Sequence, residues 1–229
     1  MSIQKSEIKL DVNGKPVNAY LASPSDGGPG VLVLHAWWGL KPFFKQVCDQ
    51  LAEHGFIALA PDLYQGRIAN TIDEAKALLQ KRDIELMGDT VKAAKNHLAS
   101  LCAGKPIGVL GFSMGAGWSL VAAAHEPDIT AAVLFYGSGS EDFSRVKARV
   151  LGHFAEVDEW EPMDDVNAME QGMKDAGLDV TLHFYPKVAH WFVESDRPEY
   201  DAAAASLTWE RTFEFLRSSL RVFEKQSPT

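Results

Sequence analysis

Six short apolar runs punctuate the chain, at residues 31–35, 57–60, 107–110, 131–136, 150–154 and 180–184. The first, Val31 to His35, is continuous and reads as a strand covered on both faces, the situation of a parallel sheet; the other five are similar short runs. Stretches with helical spacing separate them, at residues 43–54, 73–101, 115–125, 164–176 and 199–220. In the last, Trp209, Phe213, Leu216 and Leu220 repeat so as to face a sheet. The 73–101 stretch is long for one helix, and Gly88 suggests a break within it. Ahead of this pattern, Ile8, Leu10 and Val12 alternate with charged residues. Asn13-Gly14 then turns the chain into the alternating Val17, Ala19 and Leu21, a β-hairpin. The expected class is α/β: a mostly parallel twisted sheet with an antiparallel N-terminal hairpin and helices on both faces.

With 229 residues and 46% hydrophobic content, one sizeable core is affordable, and no repeat or linker divides the chain. The expectation is a single domain over residues 1–229 without a separate lid domain. A net charge of −9 with no basic cluster argues against a nucleic-acid partner. No apolar run is long enough for a membrane span, and MSIQKSEIKL has no signal-peptide core, so a cytoplasmic protein is expected. Cys48 and Cys102 form neither a metal spacing nor a disulfide framework; Cys48 reads as a small core residue. No metal and no organic cofactor is implied. A homo-oligomer is compatible with the chain but is not legible in it.

The chemistry concentrates in IGVLGFSMGAGWS. An apolar strand ends at Gly111, and Gly111-Phe112-Ser113-Met114-Gly115 fits G-x-S-x-G before a helix of small residues. By composition alone such a match arises roughly one time in ten in a chain this long. Its place between strand and helix makes it a nucleophile elbow, which needs glycines on both sides of a serine in a strained turn. Such a serine needs an acid and then a histidine, in that order downstream. His125 ends a helix, and His153 and His183 lie inside strands, where a packed or hydrogen-bonded role suits them. His190 follows the last strand and is well placed as general base. Asp158, after the strand VLGHFA, is the candidate acid; Glu156 and Glu159 compete with it.

On these residues the chain resembles the dienelactone hydrolase family of α/β-hydrolases. The likeness rests on the hairpin, VLVLHAWWGL, APDLY at 60–64, the elbow, FAEVDEWEP and AHWF, and spans nearly the whole chain. It implies an Asp158–His190 pair behind the nucleophile and an oxyanion hole built by the backbone N–H groups of Met114 and Trp37. Three positions depart from the family pattern. Ser113 stands where cysteine is usual, and His35-Ala36 where the family reads His-Glu. The family's substrate-holding arginines are matched here only by Arg67, offset by one residue, and by Glu194 with Arg197 further on.

The aromatic residues Trp37, Trp38, Phe112, Trp160 and Trp191 flank these loops. With Ala36, Arg67 and Arg197, all but Trp37, already assigned to the oxyanion hole, complete the candidate substrate pocket. The function expected is a serine esterase or lactonase that forms an acyl-enzyme on a small-molecule ester with an apolar or aromatic portion. Thioesterase or acyl-peptidase activity on the same residues, or a non-catalytic binding protein of this fold, are the alternatives.

Overall fold

The computed structural model describes residues 2–220. Strands β1 (Ile3–Val12) and β2 (Lys15–Pro24) form the expected hairpin. Both turn residues have positive φ, 53° at Asn13 and 79° at Gly14, the requirement of a two-residue turn that matches strand twist. Then follow β3 (Gly30–Leu34), α1 (Pro42–Glu53), β4 (Ile57–Pro61), α2 (Ile72–Gln80) and α3 (Ile84–Leu101). The second half runs β5 (Ile107–Phe112), α4 (Met114–His125), β6 (Ile129–Phe135), β7 (Arg149–Ala155), α5 (Met163–Asp175), β8 (Val180–Tyr185) and α6 (Ala202–Ser219).

The eight strands form one sheet in the order β1-β2-β4-β3-β5-β6-β7-β8. β1 pairs antiparallel with β2, and β2 antiparallel with β4; all other neighbours are parallel. Alternation along each strand sends side chains to opposite faces. Val31, Val33, Leu110 and Phe112 join one core with Phe44, Val47 and Leu51 of α1 and Phe213 and Leu216 of α6. Leu32, Leu34 and Val109 join the other, with Val91 and Leu98 of α3, Leu120 of α4 and Met169 of α5. From β3 the chain moves to β4 on one side and to β5 on the other. This reversal opens a crevice at the strands' carboxyl ends, the usual binding place in such sheets.

The long helical stretch is indeed interrupted, but at residues 81–83 and not at Gly88. The Asp83 side chain accepts the Leu86 amide (3.0 Å) and so caps a new helix. Gly88 lies inside α3, where a Cβ would stand 3.6 Å from the Trp118 ring. No helix among the described residues is long and apolar enough to cross a membrane.

Candidate active site

Ser113 sits between the end of β5 and the first turn of α4, with φ 51° and ψ −114°. For a residue with a Cβ this conformation is costly and survives only where packing imposes it. Here the packing does so from both sides. A Cβ on Gly111 would run into the carbonyl of Gly115, and one on Gly115 into the carbonyls of Leu34 and His35. The Ser113 amide donates to the Phe135 carbonyl (2.9 Å), tying the turn to β6. The α4 N-terminus, with its free N–H groups, begins beside the hydroxyl.

Three loops at the carboxyl ends of strands bring the other groups to this serine. His190 Nε2 lies 3.0 Å from Ser113 Oγ, and His190 Nδ1 lies 2.7 Å from Asp158 Oδ2. Both His190 and Asp158 side chains are only 3% exposed. Asp158 Oδ1 accepts the amides of Trp160 (2.8 Å) and Glu161 (3.1 Å), so its two oxygens are held in different directions. With the carboxylate accepting from Nδ1–H, Nε2 is left to accept the Ser113 hydroxyl proton. Glu156 and Glu159, the other acids of this loop, are exposed. The amides of Met114 and Trp37 make no hydrogen bond among the described residues, although both residues line the crevice beside Ser113.

That crevice is a cleft of about 270 Å³ lined by Trp37, Leu79, Ser113, Met114, Trp160, His190 and Trp191. Trp37 meets Trp160 edge-on at 5.2 Å, and Trp160 lies 5.5 Å from Trp191. Trp38, Ala36 and Phe112 are fully buried behind this lining; Phe112 stacks on Phe135 with ring centres 4.5 Å apart. Neither arginine lines the cleft. Arg67 is exposed and turns back to donate to its own loop at the Tyr64 carbonyl (2.9 Å). The Arg197 guanidinium lies 4.3 Å from the Trp38 ring centre and 4.9 Å from that of Trp191, and pairs with Glu199 (3.3 Å). Glu194 is buried and accepts the Tyr136 hydroxyl (2.8 Å). Burial pushes its carboxyl up to about 8, so at neutral pH it brings little negative charge to the site.

Two further histidines, His35 and His153, are buried and engaged in structural hydrogen bonds. His35 donates from Nδ1 to the Ala36 carbonyl (2.6 Å) and accepts the Leu63 amide on Nε2 (3.0 Å), joining the loops after β3 and β4. Burial holds it below the ordinary histidine range. His153 spans Tyr185 (2.9 Å) and Thr212 (3.1 Å) inside the core. Sequence reasoning did not find Leu79, because α2 reaches the cleft from a segment with no motif. It also missed Tyr64, whose hydroxyl contacts Met114 Sδ at 3.2 Å although APDLY marks its position. Among the described residues no group of His, Cys, Asp and Glu could hold a metal ion.

A serine on an elbow of a mostly parallel sheet, with acid and histidine on later strand ends, defines an α/β-hydrolase. The sequence profile of the dienelactone hydrolase family matches residues 17–220, and the chain belongs to that family, as a hydrolase of esters or lactones. It is 34% identical over 226 residues to the protein named usf of Aquifex pyrophilus, which covers 93% of this chain and 98% of the relative. It is 32% identical to a protein of Aquifex aeolicus (strain VF5) provisionally named a carboxymethylenebutenolidase, with 93% and 98% covered. A crystal structure from Klebsiella pneumoniae, provisionally described as a dienelactone hydrolase, superposes with a TM-score of 0.82 at 27% identity, covering 94% of this chain and 98% of that one.

Proposed function

We infer that the chain is a serine esterase that works through an acyl-enzyme on Ser113, as a single α/β domain without a separate lid domain. The observation that carries this reading is the continuous row from Ser113 Oγ through His190 to Asp158, at 3.0 and 2.7 Å. As Oγ attacks the substrate carbonyl, its proton passes to His190 Nε2, and Asp158 stabilises the imidazolium. The negative charge on the carbonyl oxygen meets the unengaged amides of Met114 and Trp37. The alcohol leaves with the proton from Nε2. A water then attacks the acyl carbon as its proton passes to Nε2; the bond to Oγ breaks, Nε2 returns that proton to Ser113 Oγ, and the acid is released.

The cleft supports a neutral substrate with an aromatic or apolar portion. Three indoles and Leu79 line it, while Arg67 and Arg197 are engaged elsewhere. Lys76 lies over the Trp160 ring at 5.5 Å but is exposed, where water screens its charge. A carboxylate-bearing lactone would leave its charge without a buried partner. Serine also fits the absence of a carboxylate at Ala36, since no thiol here needs activation.

A fluorophosphonate probe should label the wild-type chain at Ser113, and Ser113→Ala should lose both labelling and hydrolysis of p-nitrophenyl butyrate. Retained hydrolysis in Ser113→Ala would overturn the acyl-enzyme. Parallel rates on neutral aryl esters, their carboxylated analogues, lactones, acyl-thioesters and aminoacyl anilides test the substrate class; faster turnover of the carboxylated esters would overturn the neutral-substrate reading.

A further inference from the structure

Tyr136 and Glu194 are buried titratable groups beside the site that the two-step reaction leaves unused. Tyr136 follows β6 with φ 40°, and its amide donates to the His153 carbonyl (2.8 Å). Its ring centre lies 4.8 Å from that of His190, with the planes at 57°. Its hydroxyl passes on to Glu194 Oε1 at 2.8 Å, four residues beyond the histidine. Glu194 is 1% exposed. One side chain thus touches the imidazole with its ring and the far end of the histidine's own turn with its oxygen.

Between those two contacts the backbone is strained. Trp191 has φ 67°, a conformation that costs a bulky residue on the order of 1–3 kcal/mol and persists only when its surroundings over-determine it. Phe192 N–H to the Ala189 carbonyl (3.2 Å) and Glu194 N–H to the Trp191 carbonyl (2.9 Å) close the turn on itself. Those bonds set its shape. Asp158 at His190 (2.7 Å) ties it to the loop after β7, and the Asp201 amide on the Phe192 carbonyl (3.0 Å) ties it to the start of α6, but neither gives it a reference on β6. Tyr136 supplies that reference, because the preceding residue, Phe135, holds the Ser113 amide (2.9 Å). Nucleophile and base are therefore fixed to the same two residues at the end of β6.

We propose that Tyr136 and Glu194 are positioning residues whose hydrogen bond holds the 190–194 turn, keeping His190 Nε2 in reach of Ser113 and the Trp191 indole in the cleft wall. The proposal rests on the reading of Ser113, His190 and Asp158 as the catalytic row. A misplacement near 1 Å can cost about a hundredfold in rate. The hydroxyl, more than the ring, should matter, since only the hydroxyl reaches Glu194.

Three variants separate this role from simple packing. Tyr136→Phe keeps the ring and deletes the hydroxyl; Glu194→Ala deletes the acceptor; Glu194→Gln keeps an amide oxygen that can accept. With p-nitrophenyl butyrate, and with folding checked by circular dichroism, the first two should lose about ten- to a hundredfold in kcat. Fluorophosphonate labelling of Ser113 should slow in parallel, and KM should rise as Trp191 shifts. Glu194→Gln should stay within about threefold of wild type. Folded Tyr136→Phe with kcat and labelling within twofold of wild type would overturn the proposal, as would Glu194→Gln as impaired as Glu194→Ala. If Glu194→Ala does not fold, Tyr136→Phe and Glu194→Gln alone decide. A wild-type chain that neither labels nor hydrolyses the ester would instead sink the catalytic row itself.

Discussion

Replacing Glu194 by glutamine tests how the protein tolerates a carboxyl group in its core. Burial raises that carboxyl from an ordinary 4.5 to about 8; Asp196 pushes the same way, while the Tyr136 hydroxyl, Arg197 and Lys41 oppose it. Between those two values the folded chain keeps a proton that the unfolded chain has released. Stability from this group is therefore fully present below about pH 4.5, declines as pH rises, and is flat again above about pH 8. At pH 7 the unfolded carboxyl is some 2.5 units past its midpoint, and at about 1.36 kcal/mol per unit the loss is about 3 kcal/mol. Glutamine does not titrate. Any cost of placing its amide nitrogen shifts the whole curve equally and leaves the slope untouched. Urea unfolding of both proteins from pH 4 to 9 should show the variant gaining about 3 kcal/mol on the wild type between pH 4 and pH 7 and about 1 kcal/mol more by pH 9, levelling above about pH 8. In thermal scans the gain up to pH 7 corresponds to roughly 6–12 °C for a domain of this size. Two curves that run parallel across that range would refute the argument, because the carboxyl would then be ionised in the fold.

Asp158→Asn should fold normally yet lose roughly 10³–10⁴-fold in kcat on p-nitrophenyl butyrate, because an amide can present a donor to Nδ1 and reverse the imidazole's proton placement. Trp160→Ala should raise KM for aryl esters by roughly tenfold while leaving small acetyl esters nearly unchanged; steady-state kinetics on the two series checks this. Gly115→Ala should lose more than about 3 kcal/mol in urea unfolding, since its Cβ meets rigid backbone at Leu34 and His35. Gly117→Ala, two residues on, should gain up to about 1 kcal/mol in the same assay, because its Cβ would meet only the Ser138 carbonyl at an ordinary 3.6 Å.

The parallel sheet and the elbow are legible because they depend on local pattern: the inner strands β3, β4 and β5 are apolar and buried along their length, and a strained serine turn demands glycines at Gly111 and Gly115. The hairpin is legible for the same reason, through Asn13-Gly14. The run at 180–184 forms a strand too, but at the sheet edge, where β8 is only partly covered and Phe184 is exposed. What local pattern cannot supply is a side chain's direction. Asp158, Glu156 and Glu159 are interchangeable as letters, and only the bend of their loop brings Asp158 to His190. Arg67 and Arg197 are near the right places in sequence, yet one folds back on Tyr64 and the other covers Trp38. Glu194 stands out in sequence as a missing arginine, but its burial against Tyr136, 58 residues earlier, is a tertiary fact. The helix break was misplaced because Gly88 is a weak helix former, whereas the cap at Asp83 acts through one side-chain hydrogen bond.

The two sides of the cleft are anchored very differently. Ser113, Asp158 and His190 follow β5, β7 and the edge strand β8, and glycine contacts, backbone bonds and buried rings fix them from several directions. Leu79 stands on α2, nine residues long, in which Ala75 alone is fully buried and whose start is secured by the reciprocal Thr71–Glu74 cap. Rewriting the outer wall therefore disturbs little of the core, while Ser113, His190 and Asp158 keep their contacts. Leu79 is the one cleft-lining residue carried by that short helix, so a change there alters the wall facing Ser113 without touching the loops that hold Ser113, Asp158 and His190.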